Sequence, residues 1–320
     1  MPLNDMTIGI LMGGFSSERE VSLKSGKAVC KALEAIYKKV IIIDFGSAEE
    51  LVNKLKRVKV DCIFNALHGC FGEDGQVQQI LDELAIKYTG SGVQASMLAI
   101  NKVASHEIFR NNGLNVPCYQ VFNKECSDMQ GFSADFPLVV KPSLEGSSIG
   151  MSIVKKPEEL FTALKKAMAF NQDVLIEKYV FGREITVGIL NDQPLPVVEV
   201  IPKNNFYDFQ AKYTQGMTEY IVPAVFPEDV INRVQEDAVK AHTLLGCKCF
   251  SRVDMIIDED NNPVVLEVNT IPGLTATSLL PKAARAAGIE FAELCRIMID
   301  SALNDEDKQA ADLVVSKNRE

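Results

Sequence analysis

The first hundred residues alternate short apolar runs with amphipathic ones, and this rhythm restricts the fold more than any other feature of the chain. Thr7–Leu11, Val40–Asp44 and Val60–Leu67 have the length and apolar character of strands. Ser17–Ala35, Glu49–Lys56 and Gln76–Ala85 read as helices. Such a βαβα order predicts a parallel sheet with helices packed on its faces. Ser17-x-x-Glu20 has the form of a capping box for the first helix.

Two further units follow. Val93–Asn112 reads as one helix ended by Gly113. Pro137–Lys141 and a run ending at Val154 read as strands, Pro157–Ala169 as a helix, and Asp173–Glu177 as a strand. Glu158 and Glu159 fall in that helix's first turn, where the dipole favours them. Glu184–Leu190 and Leu195–Ile201 are strand-like. Asn204–Gly216 is polar, aromatic and long enough to be a functional loop. Pro227–Leu245 is a predicted helix, Cys249–Asp258 and Pro263–Val268 a pair of strands, and Leu279–Ala287 and Glu290–Leu303 two more helices. At roughly 100–200 residues per domain, a chain of 320 residues holds two or three. The expected division is an N-terminal unit of residues 1–96, a central unit of 97–183, a C-terminal unit of 184–304, and a polar tail of 305–320.

Composition excludes more than it selects. Lys and Arg number 33 against 43 Asp and Glu, a net charge of −10, so the basic footprint of a nucleic-acid binder is absent. A local pocket for an anion remains compatible with that total, because binding fields are local. No apolar run approaches the ~20 residues of a membrane helix. The N-terminus lacks the basic-then-apolar pattern of a secretory signal, so the expected compartment is the cytoplasm. The eight cysteines are scattered, without Cys-x-x-Cys spacing, and read as free thiols acting as small hydrophobes. Three histidines, His68, His106 and His242, are too few to favour a histidine-built metal centre.

The most informative segment is the predicted hairpin near the end. Its strands are apolar except for Arg252, Asp254, Glu267 and Asn269. Strand side chains alternate faces, so Arg252 shares a face with Asp254, and Glu267 with Asn269. With the turn centred between Asp260 and Asn261, antiparallel pairing sets Asp254 opposite Glu267 and Arg252 opposite Asn269. Val253, Met255, Leu266 and Val268 would then pack the core. Facing carboxylates repel unless a cation separates them. Mg²⁺ suits the position, since it takes oxygen ligands from one or two carboxylates and substrate phosphates. An Arg–carboxylate ion-pair cluster on a solvated face accounts for the same four residues; the asparagine favours the metal.

Weaker signals lie elsewhere. In Lys141-Pro-Ser-Leu-Glu-Gly-Ser-Ser-Ile-Gly150 a strand ends in a lysine before a small-residue loop, whose exposed N–H groups suit phosphate oxygens. It is not a P-loop, and an ordinary hairpin loop is the simpler reading. Glu177-Lys178-Tyr179-Val180 and Glu184 sit at an interdomain crossing, where backbone groups could read an adenine edge and a carboxylate take ribose hydroxyls. A solvated linker is the plain alternative. Gly13-Gly14 follows the first strand, where open parallel sheets bind ligands, but it is not a dinucleotide fingerprint. His68 lies at the same sheet edge and reads as a hydrogen-bonded structural residue. Ser278 reads as the N-cap of the next helix, and its hydroxyl could instead hold a carboxylate.

Taken together, these blocks resemble the D-alanine–D-alanine ligases, a family of ATP-grasp enzymes, from about Ile8 to Leu303. The matching blocks are Gly13-Gly-Phe-Ser-Ser-Glu-Arg-Glu-Val-Ser22, His68-Gly-Cys-Phe-Gly-Glu-Asp-Gly75, the Lys141–Gly150 loop, Ala211-Lys-Tyr213, and Glu267-Val-Asn-Thr-Ile-Pro-Gly-Leu-Thr-Ala-Thr-Ser-Leu279. The resemblance implies an α/β fold, mixed with α+β, of three domains. A Rossmann-like N-terminal sheet precedes two ATP-grasp domains that sandwich ATP. It further implies that Lys102 and Lys141 meet ATP phosphates, that Ser148 belongs to the ATP site, and that Lys212 closes on the γ-phosphate from a loop. Glu177, Lys178, Tyr179 and Val180 match the adenine-reading crossover, and Glu184 the ribose contact. Asp254, Glu267 and Asn269 match the ligands of two Mg²⁺ (or Mn²⁺) ions. Arg252 and the N–H of Gly273 match groups that stabilise transferring charge. Glu18, with Ser147 and Tyr213, matches the seat of the first D-alanine; His68 matches a residue of the same subsite. Ser278 and Leu279 match the seat of the second D-alanine's carboxylate.

The implied reaction is ATP-dependent ligation of two D-alanines through a D-alanyl phosphate, for peptidoglycan synthesis, with a homodimer as the implied assembly. Neither a nucleic acid nor a membrane is an expected partner. A D-alanine–D-lactate ligase shares the fold and first step; Tyr213 within Ala211-Lys-Tyr favours the dipeptide enzyme. A nucleotide-binding protein without catalysis is the remaining reading, and the joint presence of Arg252, Asp254, Glu267 and Asn269 argues against it. Thr277 stands where many relatives carry histidine, and Phe15 where a smaller polar residue is common.

Overall fold

In the computed structural model, residues 5–122, 135–170, 172–203 and 217–304 are described. Strands β1 (Thr7–Leu11), β2 (Lys39–Ile43) and β3 (Cys62–Asn65) form a parallel sheet in the order β2-β1-β3, as the alternation predicts. Both faces are covered, so the strands are apolar nearly throughout. Ile8, Ile10 and Phe64 pack with residues of α1 (Arg19–Leu33) and of the last helix, α9 (Phe291–Asn304). Leu11, Ile43 and Ile63 pack with α2 (Ala48–Arg57) and α3 (Gln76–Glu83). Each such buried Ile or Leu contributes about 1.5–3 kcal/mol. Gly26 lies inside α1, where a glycine costs about 1 kcal/mol of helix propensity. A Cβ there would stand 2.4 Å from Met12 Cβ, so the close approach of helix and strand requires it.

The capping box does not form. Helix α1 begins at Arg19 with Glu18 in the N-cap position and no side-chain cap. The serine hydroxyls serve the turn instead. Ser16 Oγ donates to the carbonyl of His68 (2.7 Å), while Ser22 Oγ accepts from Gly13 N and donates to the carbonyl of Ala66 (2.8 Å each). Arg19 pairs with Asp44 at 2.7 Å, and this hydrogen-bonded guanidinium holds the Asp44 carboxyl below its usual range.

The expected helix over 93–112 is two helices, α4 (Val93–Ile100) and α5 (Lys102–Asn111). Asn101 takes an extended conformation (φ −83°, ψ 95°), and its side chain caps α5 by accepting from Ala104 N (3.1 Å). The break makes Lys102 the first residue of a helix. Ala95, Ala99 and Phe109 join the core of the C-terminal sheet, so α4 and α5 pack with that sheet rather than with the central one.

The central sheet is antiparallel, in the order β4 (Tyr119–Phe122), β7 (Val174–Lys178), β5 (Leu138–Pro142), β6 (Ser152–Val154). Leu138, Val140, Val174 and Ile176 face α6 (Pro157–Met168). By period-two alternation, Val139, Lys141 and Glu177 point the other way. The C-terminal sheet runs β11 (Thr218–Ile221), β10 (Val198–Pro202), β8 (Gly182–Leu190), β12 (Phe250–Asp258), β13 (Pro263–Asn269), with β9 (Gln193–Pro194) beside β8. Ile185, Val187, Val253, Met255 and Val268 pack under α7 (Glu228–Leu244). The alternate positions, Glu184, Thr186, Arg252, Asp254, Glu267 and Asn269, belong to the opposite face. Helix α8 (Leu279–Ala286) leads on to α9. No described helix is long and apolar enough to cross a membrane. Five of the described cysteines are buried, while Cys70 and Cys118 are exposed; burial pushes the thiols of Cys247 and Cys295 up to about 12.

Candidate active site

The acidic hairpin pairs as expected, by a different route. Arg252 lies opposite Asn269 and Asp254 opposite Glu267, but nearer the turn Met255 pairs with Val265 and Ile257 with Pro263. The turn is thus centred on Asp260, one half-step from the expected position. Leu266 is an extra residue on β13, a bulge that restores the register beyond it. Leu266 consequently leaves the core, where it was expected, and lines a cavity.

That cavity, of about 380 Å³, lies between the central and C-terminal sheets. It brings together Lys102, Lys141, Ser148, Glu177, Lys178, Tyr179, Val180, Glu184, Asp254 and Glu267. Val139, Met151, Ile256 and Leu266 supply apolar wall, as a flat heterocycle requires. Lys141 Nζ sits 2.9 Å from Glu177 Oε1, and both side chains are buried. Lys102 Nζ donates to the carbonyl of Glu145 at 2.7 Å and lies 3.6 Å from Glu267 Oε2. Burial pulls the Lys102 ammonium below the usual lysine range, against the opposing pull of Glu267. Two buried ammonium groups at one end of a partly apolar cleft suit a polyphosphate at that end and a base at the other.

A second cavity, of about 500 Å³, adjoins the first and shares Gly146 and Glu267 with it. Glu18, His68, Ser147, Arg252, Asn269, Gly273, Ser278 and Leu279 line it. Ser147 Oγ donates to Glu18 Oε2 at 2.5 Å. A Cβ on Gly146 would stand 3.0 Å from Glu18 Oε1, so the loop passes close over the carboxylate. Ser147 and Ser148 have positive φ (51° and 59°), a conformation that costs of order 1–3 kcal/mol each and concentrates at functional sites. His68 is buried between Ser25 Oγ (3.0 Å) and Glu73 Oε1 (3.2 Å), hydrogen-bonded as the sequence suggests. Ser278 occupies the N-cap position of α8 but makes no side-chain cap. Its Oγ instead accepts from Thr275 N (3.1 Å) and meets Thr275 Oγ1 (2.8 Å), so simple capping does not explain it.

Every described residue of the sequence-derived set therefore lines one of two joined cavities. Lys212 and Tyr213, with the rest of Asn204–Gly216, lie outside the described residues. Sequence reasoning missed Thr186, whose Oγ1 donates to Asp254 Oδ1 at 2.7 Å across the β8–β12 pairing. It also missed Ser25 and Glu73, which hold His68.

The acidic residues fit a divalent cation. Arg252 makes a bidentate pair with Asp254 (2.8 and 2.6 Å), and Asn269 Nδ2 donates to the same carboxylate (3.0 Å). The asparagine's carbonyl oxygen is left as a further oxygen donor beside two carboxylates. Among the described residues no group of three or more His, Cys, Asp or Glu forms a metal cage. A cation here would be one that completes its shell with water and phosphate oxygens, which is the habit of Mg²⁺.

Comparison with known proteins agrees. The model of the D-Ala–D-Ala ligase C-terminus matches residues 108–300, and that of the N-terminus residues 44–91. The chain belongs to the D-alanine–D-alanine ligase family. A D-alanine–D-alanine ligase of Geobacter sulfurreducens is 47% identical over 304 residues, covering 94% of this chain and 96% of that one. The ATP complex of the Bacillus anthracis D-alanine–D-alanine ligase superposes with a TM-score of 0.83 at 33% identity, over 96% and 99% of the two chains. The VanG D-Ala:D-Ser ligase of Enterococcus faecalis gives 0.79 at 29%, over 93% and 99%. The family's architecture is the α/β, ATP-grasp arrangement expected from the sequence.

Proposed function

We propose that the chain joins two D-alanines at the expense of ATP, with the reacting atoms at the seam of the two cavities. The observation that carries this is the seam itself: Gly146 and Glu267 belong to both walls. A phosphoryl group leaving the first cavity is handed directly to a carboxylate in the second. ATP places its base along Glu177–Val180, its ribose at Glu184 and its phosphates toward Lys102, Lys141 and Ser148. Glu18, held by Ser147, takes the ammonium of the first D-alanine, with His68 beside it. The second D-alanine sets its carboxylate at Ser278 and Leu279.

The carboxylate of the first D-alanine attacks the γ-phosphate, giving D-alanyl phosphate and ADP. The amine of the second attacks that carbonyl, loses a proton, and phosphate leaves. Phosphoryl transfer depends on positioning and on neutralised charge. Arg252 and the N–H of Gly273 meet the developing oxyanion and the transferring group. Asp254, Glu267 and Asn269 would hold Mg²⁺, which supplies Lewis-acid neutralisation of the phosphate oxygens. Because an acyl phosphate hydrolyses, the Asn204–Gly216 segment, with Lys212 and Tyr213, is the lid that excludes water.

The deciding experiment supplies ATP, Mg²⁺ and D-alanine, measures phosphate, and identifies the product by mass. D-alanyl-D-alanine is expected. A repeat with D-lactate or D-serine in competition should still give the dipeptide of D-alanine as main product; a depsipeptide or mixed dipeptide overturns the substrate assignment.

A further inference from the structure

His106 is fully buried and takes part in no step above. It stands one turn beyond Lys102 on α5, so the two side chains leave the helix on the same side. Lys102 reaches the carboxylate of Glu267, and His106 Nε2 donates to the carbonyl of Leu266 at 2.9 Å. Leu266 is the bulge residue. Without its extra step, the register near the turn would continue outward, set Asp254 opposite Leu266, and turn Glu267 to the core face. The bulge is therefore what makes the two carboxylates face each other. Burial lowers the His106 pKa, which keeps the ring neutral, with its proton on Nε2 where the carbonyl needs it. Nδ1 lies 3.6 Å from Glu177 Oε1, the partner of Lys141, so the ring also touches the nucleotide-side ion pair.

We propose that His106 is a positioning residue: it pins the Leu266 bulge and so holds Glu267 opposite Asp254 for a divalent cation and the phosphates it carries. This role rests on the ligase reading of that acidic pair. Its test is Mn²⁺ binding in the presence of ADP, followed by electron paramagnetic resonance without D-alanine, so that turnover does not enter. His106→Met fills the buried volume without an N–H, and His106→Gln restores a donor near Nε2. Groups that orient metal ligands are worth about 10–100-fold in metal affinity. His106→Met should bind Mn²⁺ about tenfold more weakly, and His106→Gln within about twofold of the parent. Equal Mn²⁺ affinity in the Met variant, or no recovery in the Gln variant, overturns the proposal whatever happens to the melting temperature. The parent chain assayed for D-alanine-dependent phosphate release keeps the two failures apart. No release overturns the ligase reading, whereas normal release together with an unperturbed Met variant overturns the role of His106 alone.

Discussion

The two cavities share a wall but are held by different forces. On the nucleotide side, charges are paired in near-burial: Lys141 with Glu177 at 2.9 Å, Lys102 with Glu267 at 3.6 Å. Residues on regular strands and on the first turn of α5 make up most of that wall. On the amino-acid side, hydroxyls hold several of the functional groups. Ser147 holds Glu18, Ser25 holds His68, and Thr275 holds Ser278. Those residues come from turns, a helix start and the interior of α1, at separate places in the sequence. Removing one partner of a buried ion pair costs about 3–5 kcal/mol, and removing a hydrogen bond about 1–3. The nucleotide side is thus expensive to change, whereas the amino-acid side tolerates adjustment.

The contrast is broken most severely at the shared wall. Glu267→Gln removes a charge from both cavities at once, and the D-alanine-dependent rate should fall about 10³-fold, the scale seen when one preorganised electrostatic group is lost. A loss confined to the KM for ATP would mean that Glu267 serves the nucleotide side alone. Lys141→Met comes next. It leaves Glu177 buried without its cation and should destabilise the fold by about 3 kcal/mol, measured by urea unfolding. The same variant should raise the KM for ATP at least about tenfold with the KM for D-alanine unchanged, tenfold being 1.4 kcal/mol.

These residues differ in how far the sequence reveals them. Asp254, Glu267 and Lys141 interrupt apolar strands, and for Asp254 and Glu267 period-two alternation with antiparallel pairing predicts a shared face. The hairpin pairing survived an error in the turn because a bulge at Leu266 made up the missing half-step. That bulge exists only in the pairing, and so does the exile of Leu266 from the core. Thr186 reaches Asp254 across 68 positions and His106 reaches Leu266 across 160, distances over which no local pattern speaks. The helix break at Asn101 is hidden for another reason. Asn-Lys is unremarkable inside an amphipathic run, and only the capped geometry shows that it starts α5. Ser16, Ser17 and Ser22 crowd the start of α1, and a capping motif cannot tell which hydroxyl the tertiary turn will take.

The amino-acid side should respond more gently and separately. Ser147→Ala removes the donor that holds Glu18, a hydrogen bond to a charged group of about 1.5–3 kcal/mol. The KM for the first D-alanine should rise about tenfold, and ATP binding measured without D-alanine should not move. A matching rise for ATP would show that the strained Ser147–Ser148 turn is one unit serving both cavities, and the contrast would fail there.

The smallest expected effect belongs to Tyr213, outside the described residues. If its hydroxyl latches the lid over the seam, Tyr213→Phe loses one hydrogen bond of about 1 kcal/mol, or roughly fivefold in the closed population. D-alanine-dependent phosphate release should slow by about that factor, with ATP affinity unchanged because the ion pairs at Lys141 and Lys102 are untouched. Closure also keeps water from the acyl phosphate, so the ratio of phosphate released to dipeptide formed should rise in the same variant. An unchanged rate with an unchanged ratio removes Tyr213 from the latch.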